Sequence, residues 1–181
     1  MENPEKETVT RRKRIMINDE IAGMLVDQIK MFQYAANLYQ TFGLWAKDEG
    51  LIGCGDYLFK QAKERRHSAK YLHEQLDTLG GVWNTVAVAE ASPDRSIETV
   101  VDLFDLALEE EIKITNSLNN ICTEIHGQHQ WIVLPYVLEM LEFQIGEEDE
   151  ARDHLTIAKA SKDIIVVDIK VATILKAKKK D

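Results

Sequence analysis

The chain of 181 residues is long enough for one domain with a sizeable core, and its 45% hydrophobic and 29% charged residues, with nine glycines and three prolines, exclude extended disorder and favour long helices. A net charge of −9 argues against nucleic acid as the main partner and suits a surface or cavity that gathers cations. No apolar run reaches the roughly 18 residues of a membrane span, no apolar signal region opens the sequence, and Cys54 and Cys122 lack paired or zinc-type spacing, so a cytoplasmic protein with reduced thiols is expected.

The first 17 residues form a basic arm around Arg11-Arg-Lys-Arg14, and residues 18–181 are expected to form one all-α domain. Periodicity predicts a first helix from about Asn18 to Ala46, with Leu25, Ile29, Phe32, Ala36 and Tyr39 on its apolar stripe. The average spacing of 3.5 residues suits helices packed nearly in line. Asp48-Glu-Gly50 ends it. The second helix is expected from about Leu51 to Leu79, closed by Gly80-Gly81. Its stripe of Cys54, Leu58, Leu72, Leu76 and Leu79, interpolated through the middle, places Gln61, Arg65 and Ser68 towards the core.

A loop from Gly80 to about Arg95 is long for neighbouring helices and is expected to cross the length of a bundle. Ser96 is the expected cap of the third helix, with Glu98 in its first turn. That helix carries Phe104, Leu108, Glu111, Leu118, Cys122 and Ile125 on one stripe, with Glu111 its one charged member. A polar link at His126–Gln130 leads to a fourth helix with Pro135 near its start and Leu138, Leu141, Ile145, Asp149 and Ile157 as its stripe. A short fifth segment, Ile164 to about Ala177, is too short and apolar to stand alone and needs a partner surface. Two hairpins and one long crossover make a four-helix bundle with an appended helix.

Several segments in this order resemble the bacterial non-haem ferritins. They are Tyr34-Ala-Ala-Asn-Leu-Tyr39 and Trp45, Gly53, Gly80-Gly81, Ser92-Pro93, Val101-Asp-Leu-Phe104, Glu111, Glu147-Glu-Asp-Glu150 and Val167-Asp-Ile-Lys-Val171. The resemblance implies a ferritin-like bundle and a hollow, cytoplasmic, twenty-four-subunit shell that stores iron. It also implies a fifth helix at the shell's four-fold channels and a di-iron ferroxidase centre within each bundle. Such bundles present a glutamate and a histidine three residues apart from one helix.

Here the chain departs from the family pattern. The first-helix glutamate position is Phe32, the second-helix glutamate is Arg65, and its histidine partner is Ser68. Glu111 keeps the third-helix glutamate, and Tyr39 stands at the redox tyrosine position. Carried gap-free, the pattern puts the fourth-helix glutamine on Gly146 and the last glutamate on Asp149. Glu64-x-x-His67 spells the ligand pair one residue early, which turns it about 100° from the core stripe.

These departures imply a ferroxidase site largely lost. Arg65 is expected to replace the irons electrostatically by holding Glu111 and Asp149 together, while Phe32 fills the space a carboxylate would leave. Glu64, Glu148 and Asp149 match positions where some bacterial ferritins hold a third iron, so with Glu111 they are the residual weak metal-binding candidates. Iron is the expected metal, as mineral or at weak sites. Arg65-Arg66 in the middle of the second helix, where a haem-ligating methionine would stand, argues against haem. The chain is therefore expected to assemble with itself, or with an active ferritin subunit, and to show little ferroxidase activity of its own. Two alternatives are a structural shell protein with no iron role and a DNA-binding mini-ferritin suggested by Arg11–Arg14; the Ile164–Ala177 segment argues against the latter.

Overall fold

A computed structural model of the protein describes residues 15–81, 91–93 and 96–177. The Arg11–Arg14 arm, most of the crossover and the last lysines lie outside these residues. The chain forms α1 (Asp19–Asp48), α2 (Ile52–Thr78), α3 (Val100–Gly127), α4 (Leu134–Ala160) and α5 (Ile164–Ala177). Helix α1 pairs along its length with α2, and α3 with α4. Contacts of α1 with α3 and of α2 with α4 close the ring, and α5 docks mainly on α2. Among the described residues there is no strand, and no helix is long and apolar enough to cross a membrane.

Local chemistry accounts for the helix ends. Asn18 caps α1 by accepting the Ile21 N–H at 2.9 Å, and Asp19 and Glu20 complement the positive end of its dipole. Both α1 and α2 finish in a left-handed glycine, Gly50 at φ 79° and Gly80 at φ 76°. Each places two N–H groups on the last free carbonyls: Gly50 on Lys47 and Leu51 on Ala46, Gly80 on Asp77 and Gly81 on Leu76. The cap of α3 is Thr99, not the expected Ser96: Thr99 and Asp102 form a reciprocal capping box. Ser96 has Thr99 three residues on, which supplies no carboxylate for the return bond.

The core runs the length of the bundle through Leu25, Phe42, Leu58, Leu72, Phe104 and Ile125. Ile17 also packs in it, and the Met16 N–H donates to the Leu79 carbonyl, so the packed unit includes residues the sequence reading assigned to the arm. Every stripe residue expected on α1 and α2 is buried; on α3, Leu108 and Cys122 are only half-buried.

Helix α4 is turned from the expected orientation. Val137, Met140, Gln144, Glu147, Ala151, His154 and Ala158 face inward, while Leu138 and Ile145 are 49% and 62% exposed. The observed stripe sits about one residue, or ~100°, from the apolar one. Its middle buries a glutamine, two glutamates and a histidine, so the apolar pattern does not mark the inner face.

Helix α5 is anchored by a side chain aimed at the start of α2. Asp168 Oδ1 accepts the Cys54 N–H at 2.7 Å, meeting one of the free donors of that helix end. Gly53 permits the approach, since a Cβ there would lie 2.5 Å from the Asp168 carbonyl oxygen.

Candidate metal centre

Halfway along the bundle, α2 sends Arg65 into the core, where it is 1% exposed. One Nη donates to Gln144 Oε1 at 2.8 Å; the other donates to Glu147 Oε2 at 2.9 Å and lies 3.2 Å from Glu111 Oε2. Gln144 in turn donates through Nε2 to Glu111 Oε2 at 2.6 Å. On the far side, the Tyr39 hydroxyl from α1 donates to Glu111 Oε1 and lies 3.2 Å from the Ala107 carbonyl. Four helices thus meet in one network of Tyr39, Glu111, Gln144, Arg65 and Glu147.

Burial penalises every charge here, and the partners decide which form survives. Burial alone would lower the Arg65 pKa, but Glu111 and Glu147 more than offset it and the guanidinium is held charged. One cation between two carboxylates cannot neutralise both. Glu147 accordingly rises to about 7, driven by burial and opposed by Arg65, with Glu64, Glu111 and Glu150 adding to the rise. The Tyr39 hydroxyl is pushed well above its ordinary value by burial and then by Glu111, which keeps it a donor.

Phe32, Tyr39, Arg65, Ser68 and Glu111 are brought together in the bundle's interior as the helical stripes implied, and all are buried. Ser68 donates its hydroxyl back to the Glu64 carbonyl at 3.2 Å. Helix α2 is unbroken, His67 is exposed, and Glu64 pairs with Lys60 at 3.2 Å, so no local bulge turns the Glu64–His67 pair inward.

On α4 the expected positions are wrong. Gly146 and Asp149 are exposed, and Asp149 pairs with Arg152 at 2.6 Å. Glu148 lies towards α3, bonded to Thr115 at 2.7 Å and to Arg152 at 2.6 Å. Glu64, Glu148 and Asp149 therefore do not converge, and Arg65 pairs with Glu147 where Asp149 was expected. Gln144-x-x-Glu147 has the same spacing as the glutamine and glutamate of the resemblance, two residues earlier. The two-residue offset falls between Glu111, which keeps its place, and Gln144. The signal that could have found the pair is its spacing, tested without assuming a gap-free link.

Glu111, Gln144 and Glu147 are oxygen donors of the kind hard cations use. The Arg65 guanidinium fills the point on which they converge, within hydrogen-bonding or ion-pair reach of all three. Phe32 and Ser68 supply no carboxylate or imidazole beside it. The residues present therefore do not fit a di-iron centre. Among the described residues, no three histidine, cysteine, aspartate or glutamate side chains form a group able to hold a metal ion. The network is reached from solvent by a cleft of about 770 Å³ between α2 and α4, whose lining includes Phe32, Arg65, Ser68, Met140, Phe143 and Gln144.

Comparison with known proteins agrees with this architecture. A bacterial non-heme ferritin from Campylobacter jejuni is 31% identical over 135 residues, covering 75% of this chain and 77% of its own. A bacterial non-heme ferritin from Staphylococcus saprophyticus is 21% identical over 140 residues, covering 77% and 83%. The crystal structure of an open pore ferritin from the archaeon Archaeoglobus fulgidus superposes with a TM-score of 0.81 at 19% identity, covering 88% of this chain and 98% of that one. The profile of the ferritin-like domain matches residues 22–160, so the chain belongs to the ferritin-like domain family.

Proposed function

We propose that this chain is a subunit of an iron-storing cage in which an arginine-centred ion network has replaced the internal oxidation site. The observation that carries the reading is the Arg65 guanidinium, seated between Glu111, Gln144 and Glu147. Membership of the ferritin-like family supports iron as the stored substrate, and the likeness to a ferritin structure supports an oligomeric shell. The shell we infer contains twenty-four chains in the cytoplasm, alone or mixed with a ferritin subunit that oxidises iron. Fe(II) would then be oxidised by that partner subunit or slowly at carboxylates outside the bundle interior.

Aerobic incubation of the purified assembly with Fe(II) tests this, with oxidation followed by absorbance and retained iron measured after desalting. The expected result is oxidation far slower than in a competent ferritin, with iron retained in the cage and more retained when competent subunits are mixed in. Rapid oxidation by this chain alone would overturn the reading of the Arg65 network. Failure to retain iron in both pure and mixed assemblies would favour a purely structural shell.

A further inference from the structure

One helical turn from Arg65 towards the start of α2, the α2–α4 seam holds a second polar group. The Lys60 ammonium lies 3.2 Å from Glu64 Oε1 and 4.0 Å from Glu150 Oε2. The Glu150 side chain is 4% exposed, and those of Lys60 and Glu64 are 27% exposed. From the same turn of α2 comes Gln61, which is 2% exposed. Neither end of its amide has a hydrogen-bond partner among the described residues, and neither does the buried Glu64 Oε2.

Gln61 stands on α2 midway between Tyr57 and Arg65, four residues from each. Tyr57 is held above its ordinary pKa by burial and then by Glu150 and Glu147, and Arg65 is paired with Glu147 and Glu111. The Tyr57 ring stacks on His154 of α4 at 4.2 Å between centroids, one turn beyond Glu150. Gln61 thus stands on the face of α2 that is turned to α4, at the level of Glu150. Glu64 and Glu150 also raise the Glu147 pKa, so negative charge is concentrated along this turn of the seam. A buried amide with both ends unmet, beside concentrated negative charge, is an arrangement that a bound cation would complete.

We propose that Glu64, Glu150 and the Gln61 amide oxygen form a site for a hard divalent cation, with Lys60 as the tethered cation that fills it when the metal is absent. Two carboxylates and one amide oxygen, completed by waters, suit an ion of the Mg²⁺, Mn²⁺ or Fe²⁺ class. The ammonium marks where positive charge is already stable between the two carboxylates. Lys60 lines the cleft on a flexible four-carbon stem, so the ammonium can swing out to solvent as the metal enters. The site uses no donor of the Arg65 network and lies beside it. Glu64 belongs to the earlier set of residual iron candidates, but its partners here are Glu150 and Gln61, not Glu148 and Asp149.

Mn²⁺ titration of the full assembled protein, followed by loss of the free-ion electron paramagnetic resonance signal, tests the site. Wild type should show one saturable site per chain. Lys60→Met, which removes the competing charge, should tighten it about tenfold, and Glu150→Gln should weaken it by at least about that factor. Gln61→Leu should weaken it as well, and Asp149→Asn, at an exposed carboxylate, should leave it unchanged. Equal binding in wild type, Lys60→Met and Glu150→Gln would mean adventitious surface binding and would overturn the proposal, as would no saturable binding in wild type and Lys60→Met. Circular dichroism and gel filtration establish folding; should Glu150→Gln misfold, Glu64→Gln makes the same test. The readout involves no iron oxidation, so its failure leaves the reading of the Arg65 network standing.

Discussion

Arg65 Nη2 donates to Glu147 Oε2 at 2.9 Å across the α2–α4 seam, with 1% of the arginine and 7% of the glutamate exposed. A buried pair of this kind stabilises little against a well-packed apolar substitute, but removing one partner strands the other charge. Arg65→Met should therefore destabilise the subunit by about 3–5 kcal/mol. Adding Glu111→Leu and Glu147→Leu should recover much of that loss, because the stranded carboxylates go with it. Denaturant unfolding of the three-residue variant beside the single one measures the difference. A single variant as stable as wild type would mean that Arg65 is not the counter-ion of this network.

Burial of Glu147, which Arg65 only partly opposes, makes stability depend on pH in an unusual direction for a carboxylate. Folding raises the Glu147 pKa from 4.5 to about 7, chiefly through burial. Between those values the folded state keeps a proton that the unfolded chain has released. The contribution of this group is therefore complete below 4.5 and is lost as pH rises through about 7. Thermal unfolding of wild type and Glu147→Gln between these values isolates it, since the amide does not titrate. The wild-type advantage over the variant should shrink as pH rises, and a constant difference would contradict the raised pKa.

The fold was legible because α1 and α2 are locally consistent: their apolar stripes, the Asn18 cap and the Gly50 and Gly80 stops all agree with their packing. Arg65 and Ser68 could be placed in the core by interpolating that stripe, although neither is apolar. Helix α4 was not legible in the same way. Leu138 and Ile145 face outward while Gln144, Glu147 and Glu150 face inward, so hydropathy points to the wrong side. The turn of the helix is set by partners on other helices, Arg65 and Glu111 among them, and these lie far away in sequence. Lys60 and Glu64 are neighbours one turn apart on α2, but Glu150 joins them only when α4 packs against α2, so the group as a whole was not legible for a related reason.

If Phe32, Arg65 and Ser68 are what prevent a metal centre, restoring ligands at those three positions should create one around Glu111, Gln144 and Glu147. Arg65→Glu alone should lower stability, because it replaces the network's guanidinium by another buried carboxylate. In Phe32→Glu with Arg65→Glu and Ser68→His, added Zn²⁺ should raise the melting temperature, with about 2.7 kcal/mol of stabilisation at a hundred times the dissociation constant. Aerobic Fe(II) oxidation should become faster in this variant than in wild type. A restored variant that folds but gains neither metal-dependent stability nor oxidation would show that more than these three side chains separates this bundle from a metal-binding one.

Docking of α5 depends on a close approach that a single methyl group would block. At Gly53 a Cβ would meet the Asp168 carbonyl oxygen at 2.5 Å and the Ala172 Cβ at 2.7 Å, neither of which is the free end of a flexible side chain. Gly53→Ala should therefore push α5 off α2, at about 1–3 kcal/mol of overpacking. Asp168→Ala removes the acceptor of the Cys54 N–H without introducing a clash and should cost about 1 kcal/mol. A helix of 14 residues has little stability of its own, so displacement should also unfold it. The expected signature is faster proteolysis at the Ser161–Asp163 link and a smaller assembly on gel filtration, pronounced for Gly53→Ala and slight for Asp168→Ala. Should Gly53→Ala assemble and resist protease like wild type, α5 must have room to shift along α2, and the Asp168 anchor would not set its position.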